Sequence, residues 1–245
     1  MLALGCAALI LLYPLYGLFA PVGRWQWHNS NAGQALATSF VLTGIALIFV
    51  VLVGTPLAWS LRTASRPLRL SFEAVVLLSV LMPPLALGLL LVLAFGPTTE
   101  VGAFLLHLGV PTSNSATAFI ATQVYASFGY YLLAATAAFD SIPRELEQSA
   151  ALLGLEPWDV FRRVTLPLAR LGLATALSLA WVRALGEFGA IMVTAYYPHG
   201  MPVQLWVNLQ DNGLGAVMPL LVVFLLTALP FPWALHLFSR QRRHA

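Results

Sequence analysis

Apolar residues in this chain run in six long blocks separated by short polar connectors. The blocks lie at about 2–20, 36–60, 71–95, 116–138, 171–194 and 214–238. A helix needs ~20 mostly apolar residues to cross the hydrocarbon core of a bilayer, and every block reaches about that length. None alternates apolar and polar positions as a membrane barrel strand must. The pattern therefore predicts an all-α membrane protein, one transmembrane domain over 1–245 with six transmembrane helices. The first block has no basic residue ahead of it and exceeds the apolar length of a signal peptide, so it is expected to stay as a spanning helix.

Composition agrees with a lipid solvent. Hydrophobic residues make up 60% of the chain and charged residues 9%, against ~25% charged in soluble domains. All twelve basic residues are arginines, and all but Arg183 lie in connectors or the tail rather than along a stripe, which argues against nucleic acid. Six spans put Arg62, Arg66, Arg69, Arg144, Arg162, Arg163, Arg170, Arg240, Arg242 and Arg243 on one side and only Arg24 on the other. Basic residues concentrate in cytoplasmic loops, so both termini are expected in the cytoplasm. Trp25, Trp27, Tyr196, Tyr197 and Trp206 then fall at the outer interface. The single cysteine, Cys6, excludes an intrachain disulfide.

Proline and glycine recur inside the spans at Pro56, Pro83, Pro84, Gly88, Pro219 and Pro230, where neighbouring helices must satisfy the freed backbone groups. The fifth span is rich in small residues, including Gly172, Ala176, Ala180, Ala184, Gly186 and Gly189. Small side chains let helices approach closely in lipid, so this span is expected at the centre of the bundle.

The connector at 140–170 differs from the others in carrying helix signals of its own. Pro143 suits a first turn, and Glu145 and Glu147 complement the positive end of the helix dipole. Gly154 is placed to close that helix in a left-handed cap. Pro157 and Asp159 restart a short helix, which Pro167 is expected to end. The knuckle is too small to bury a core, so it needs a partner, and a helix seated in a groove is the natural mode.

The segment ELEQSAALLGLEPWDVFRRVTLPLA resembles the Glu-Ala-Ala loop of permeases in binding-protein-dependent ABC importers of type I. Gly154, Val164, Leu166 and Pro167 keep that family's spacing. Gln148 and Ser149 stand where it has glutamate and alanine, Ala150 is the second alanine, and Glu147 lies one place earlier. GTPLAW, LMPPLALG and ALGEFGA are similar to the same family, so the resemblance spans about 36–238. It departs at Ser127–Phe128–Gly129–Tyr130, where many relatives carry a proline.

The resemblance implies that the loop is a coupling helix docking into a cytoplasmic ATPase. Its contact residues would be Glu147, Gln148, Ser149, Ala150, Ala151, Gly154, Leu155, Trp158 and Pro167. It implies a homodimer of permeases, two ATPase subunits and an extracytoplasmic substrate-binding protein, in a prokaryotic plasma membrane. The Glu-Gln-Ser-Ala-Ala form, and GEFGA followed by Tyr196-Tyr197-Pro198, look like the molybdate and tungstate branch. Sulfate or another small solute is the alternative within transport.

Arg183 and Glu187 form the opposite-charge pair inside a span, four residues apart on one helix face. At ~1.5 Å per residue they lie ~18 and ~24 Å from the cytoplasmic end of the fifth span. Intramembrane charges commonly face an interior or aqueous path. Either Arg183 offers a passing anion a transient contact, or Glu187 neutralises it and the pair fixes packing or a gate, together with Phe188. The five histidines show no metal-ligand spacing. With no lysine, the chain lacks a phosphate-binding loop, so ATP and Mg are expected on the partner ATPase, with no cofactor or metal here. A membrane-embedded enzyme would need more polar groups at one depth than these two. A scaffold without transport would leave the loop unexplained.

Overall fold

The computed structural model describes residues 31–228, together with 12–13, 15–17, 230 and 232–233. The expected first span at 2–20 and the far end of the last therefore lie largely outside the described residues. Among those described the chain is helical and has no strand.

The second apolar block folds as one helix, α1 (Ala32–Leu61), 30 residues or ~45 Å long, with Pro56 inside it. The third does not. It divides into α2 (Arg66–Leu81) and α3 (Pro84–Phe95), bent by 111° across Met82 and Pro83. Two adjacent prolines remove two backbone donors and disfavour helix in the residue before them. Pro84 then suits the first turn of the new helix.

After a short α4 (Glu100–His107), the fourth block forms α5 (Ala116–Asp140), unbroken through Ser127–Tyr130. Thr99 and Ser115 cap these two helices by accepting bonds from the Gly102 and Ala118 amides. The connector folds as α6 (Arg144–Leu152) and the single turn α7 (Pro157–Val160).

From Pro157 the chain stays helical to Leu185, through a π turn at Phe161–Thr165 into α8 (Leu166–Leu185). The expectation that Pro167 ends a short helix is thus corrected. The Leu166 amide donates to the Phe161 carbonyl, five residues back. This widening directly precedes Pro167, where a regular turn would press the ring on the Arg163 carbonyl.

The fifth block stops at Gly186 and resumes as α9 (Gly189–Thr194). The amphipathic α10 (Met201–Asn212) and α11 (Leu214–Ala228) follow, separated by Gly213 at φ +73°. Among the described residues, three helical stretches are long and apolar enough to cross a membrane, or four when the bent α2–α3 pair counts as one span.

α5 is the most deeply buried of these, rather than the small-residue fifth span expected at the centre. α8 leaves Leu168, Leu179 and Val182 exposed. Its small residues serve the contact with α5, where a Cβ on Gly172 would collide with Ala138. The main core lies between α1, α5 and α8, around Val50, Tyr131, Phe139, Ala176 and Trp181.

The two broken spans meet at their breaks. A Cβ on Gly189 would lie 2.9 Å from the Pro84 Cβ, and one on Gly88 would lie 2.8 Å from the Ala190 Cα. LMPPLALG and ALGEFGA, distant in sequence, thus form one crossing.

Candidate functional site

The 140–170 connector projects from the end of the bundle that holds Arg62, Arg69 and Arg144. α6 closes in a two-bond cap: the Gly154 amide donates to the Ala151 carbonyl (3.0 Å) and the Leu155 amide to the Ala150 carbonyl (3.3 Å). This requires Gly154 at φ +88°, a conformation that costs other residues ~1–2 kcal/mol. A Cβ there would meet open space, so the demand is conformational alone.

The cap turns three large apolar side chains outward. Leu152 is 88% exposed, Leu153 86% and Trp158 64%. Gln148, Ser149, Ala151, Gly154 and Pro167 are also exposed, Leu155 is half-buried, and Ala150 faces inward. Trp158 is anchored from beneath by Phe161 (ring centroids 5.4 Å), which also packs on Trp59 (4.6 Å) and Phe139 (6.2 Å). The knuckle thus pairs an apolar tip with a root fixed in the bundle.

Glu147 belongs to the root. One of its carboxylate oxygens accepts from Arg62 Nη1 (2.6 Å) and from the Thr165 hydroxyl (2.6 Å). Arg62 Nη2 donates to the Ile142 carbonyl (2.9 Å), and Arg144 Nη2 to the Arg62 carbonyl (2.8 Å). The Arg62 side chain is only 5% exposed and that of Glu147 22%. A few ångströms of low-dielectric protein therefore tie α6 to the end of α1 and to the π turn ahead of α8. A second, looser ion pair joins the neighbouring elements. Arg69 on α2 reaches Asp140 at the end of α5 (2.5 Å) and Glu73 on its own helix (2.8 Å).

Arg183 and Glu187 sit at the break between α8 and α9. Glu187 is 1% exposed. One carboxylate oxygen pairs with Arg183 and the other accepts from the Ala190 amide (2.7 Å). The Arg183 guanidinium also lies over the Tyr130 ring, 5.6 Å from its centroid. Phe188 is half-buried and packs on Trp206 (5.8 Å). Both charges thus have protein partners, and Glu187 holds the restart of the helix. The knuckle and this break are separate places in the fold.

Residues 50–244 match the family described as binding-protein-dependent transport system inner membrane component. The chain belongs to that family. A probable molybdenum ABC transporter permease of Haloferax volcanii is 35% identical over 234 residues, covering 91% of this chain and 84% of that one. The molybdenum transport system permease of Mycobacterium tuberculosis is 30% identical (81% and 78% covered). The molybdate/tungstate transport system permease of Thermococcus kodakarensis is 25% identical (80% and 74%). The fold is similar to that of a bacterial ABC transporter involved in alginate import, with TM-score 0.76 and 21% identity over 98% of this chain and 93% of that one. It is also similar to the inward-facing MetNI methionine transporter, with TM-score 0.67 and 18% identity over 85% and 94%.

This transport-system component is therefore a multi-pass inner-membrane protein. Two features of the permease escaped sequence reasoning. Arg62 counted only as a topology signal, yet it is buried and paired 85 residues away. A buried polar contact, Gln123 donating to Thr43 (2.8 Å) and the Ala184 carbonyl (3.0 Å), ties α5 to α1 and α8. Such pairs become visible only once the helices are placed. Mid-span polarity at Gln123 was the one available signal.

Proposed function

We propose that this chain is the translocating subunit of an ATP-driven importer for molybdate or tungstate. Two copies form the pathway, two ATPase subunits sit on the cytoplasmic side, and an external binding protein delivers the oxyanion. Both termini face the cytoplasm. The chain carries no ATPase site of its own, and ATP and Mg belong to the partner subunit. The single observation that carries this reading is the knuckle, an uncovered apolar tip at the end of the bundle on a protein of this family. Leu152, Leu153 and Trp158 would enter an apolar cleft of the ATPase, with Gln148, Ser149 and Ala151 permitting close approach. Support for the oxyanion comes from the relatives named for molybdenum or tungstate transport.

The test is reconstitution of the complex in liposomes with its binding protein loaded in turn with molybdate, tungstate and sulfate. ATP hydrolysis and uptake should rise with the first two and stay near the unloaded level with sulfate. Stimulation by sulfate alone would move the chain to another substrate. No ATPase co-purifying with the chain would refute the transport role.

A further inference from the structure

Three segments meet at one oxygen atom. α6 supplies Glu147, the last turn of α1 leads into Arg62, and the π turn ahead of α8 supplies Thr165; both of the latter donate to the same carboxylate oxygen at 2.6 Å. Two further bonds close the arrangement, from Arg62 to the Ile142 carbonyl and from Arg144 to the Arg62 carbonyl. Arg62 is 5% and Glu147 22% exposed, and Thr165 is fully buried. Buried charges hold such geometry more rigidly than surface pairs, because parting them leaves an uncompensated charge out of water.

The neighbouring link from α2 to α5 differs in kind. Arg69 and Asp140 are each about one-third exposed, and Glu73 gives Arg69 a second carboxylate on its own helix. Water and Glu73 can replace Asp140 when α2 moves. Among the described residues, Arg62 has no second carboxylate to take the place of Glu147.

We propose that Glu147 is a positioning residue for energy coupling. It makes the knuckle, α1 and α8 one rigid lever, and it does not itself contact the ATPase. The inference rests on the proposed transport function and assigns the force path inside the chain. A push on Leu152 and Trp158 then moves the cytoplasmic ends of α1 and α8 together. α2 is free to follow or lag through its exchangeable pair. Without the carboxylate the knuckle still presents its apolar tip and still docks, but it swings on its joints and the stroke is lost.

The test uses the assembled complex with its ATPase and molybdate-loaded binding protein, comparing the unaltered chain with Glu147→Gln. The ATPase should co-purify with the variant, while molybdate transported per ATP hydrolysed falls about tenfold. The reversed pair, Arg62→Glu with Glu147→Arg, should recover part of that ratio. A residue that merely stabilised the fold would lower yield and leave the ratio unchanged, so an unchanged ratio overturns the proposal. Loss of ATPase co-purification by Glu147→Gln would also overturn it, because Glu147 would then be part of the docking surface. Should Glu147→Gln fail to accumulate, Thr165→Val removes one donor and keeps the ion pair. It is expected to lower the same ratio by a smaller factor, and an unchanged ratio there overturns the proposal equally. If the unaltered chain retained no ATPase, the functional reading would fall with the inference. A coupled unaltered complex with an indifferent Glu147 would sink the inference alone.

Discussion

Gly154 and the Arg183–Glu187 pair show how single residues divide between surface chemistry and scaffold. At φ +88° a β-branched residue is strained although the space around it is open. Gly154→Val should therefore cost ~2 kcal/mol of local stability, enough to unwind the cap that aims Leu152 and Leu153. The expected outcome is normal membrane insertion with uptake reduced at least ~10-fold, read by radiolabelled molybdate transport. Glu187 lies where its two oxygens are already claimed, by Arg183 and by the Ala190 amide. Arg183→Gln should lower stability by on the order of 3 kcal/mol, seen as an earlier thermal transition in detergent, because a fully buried carboxylate loses its counter-charge. Combining Arg183→Met with Glu187→Gln should regain most of the loss. If Arg183→Gln instead left stability intact and abolished uptake, the pair would be a substrate contact rather than a packing device.

Pro143, Gly154 and Pro157 announced the knuckle in the sequence because helix starts and caps are local, made by residues within five positions of one another. Glu147 was legible as a member of that loop but not as its root. Its partners Arg62 and Thr165 come from different helices, and no periodicity relates residues 62 and 147.

The same contrast appears among the helices. Apolar length predicted α1 and α5 well, and the prolines at 83 and 84 marked a break without its size, because a 111° bend depends on what fills the inside of the turn. What fills it is the other broken span, whose Gly189 sits against Pro84. That contact could not be read from either motif alone. Pro167 misled for a related reason. A proline removes one backbone bond, and the π turn at Phe161–Thr165 absorbs the loss within a continuous helix. α10 was taken as part of a connector, since its mixed polar face carries no spanning signal. Gly189→Leu tests the crossing. With the Gly189 Cβ position 2.9 Å from Pro84, the larger side chain must part α3 from α9. It is expected to cost ~2–3 kcal/mol, measured as a lowered melting temperature of the purified complex, with Gly189→Ala intermediate.

In the whole molecule, the arginine-rich end carries the exposed apolar tip and the buried clamp, and the opposite half carries the crossing of the broken spans. The two features thus lie in different parts of the fold, with α1 and α8 in contact with the clamp end. A family of inner-membrane transport components has reason to be built this way, since the spans lie in lipid and the fuel lies in water. Coupling to an ATPase requires residues 140–170 to face the compartment that contains ATP. The direct measurement places a cysteine at Ser149 in a Cys6→Ser background and applies a membrane-impermeant maleimide to intact cells and to inverted vesicles. Labelling should occur only in inverted vesicles and should be blocked when the ATPase subunit is bound. Labelling of intact cells from outside would contradict the account.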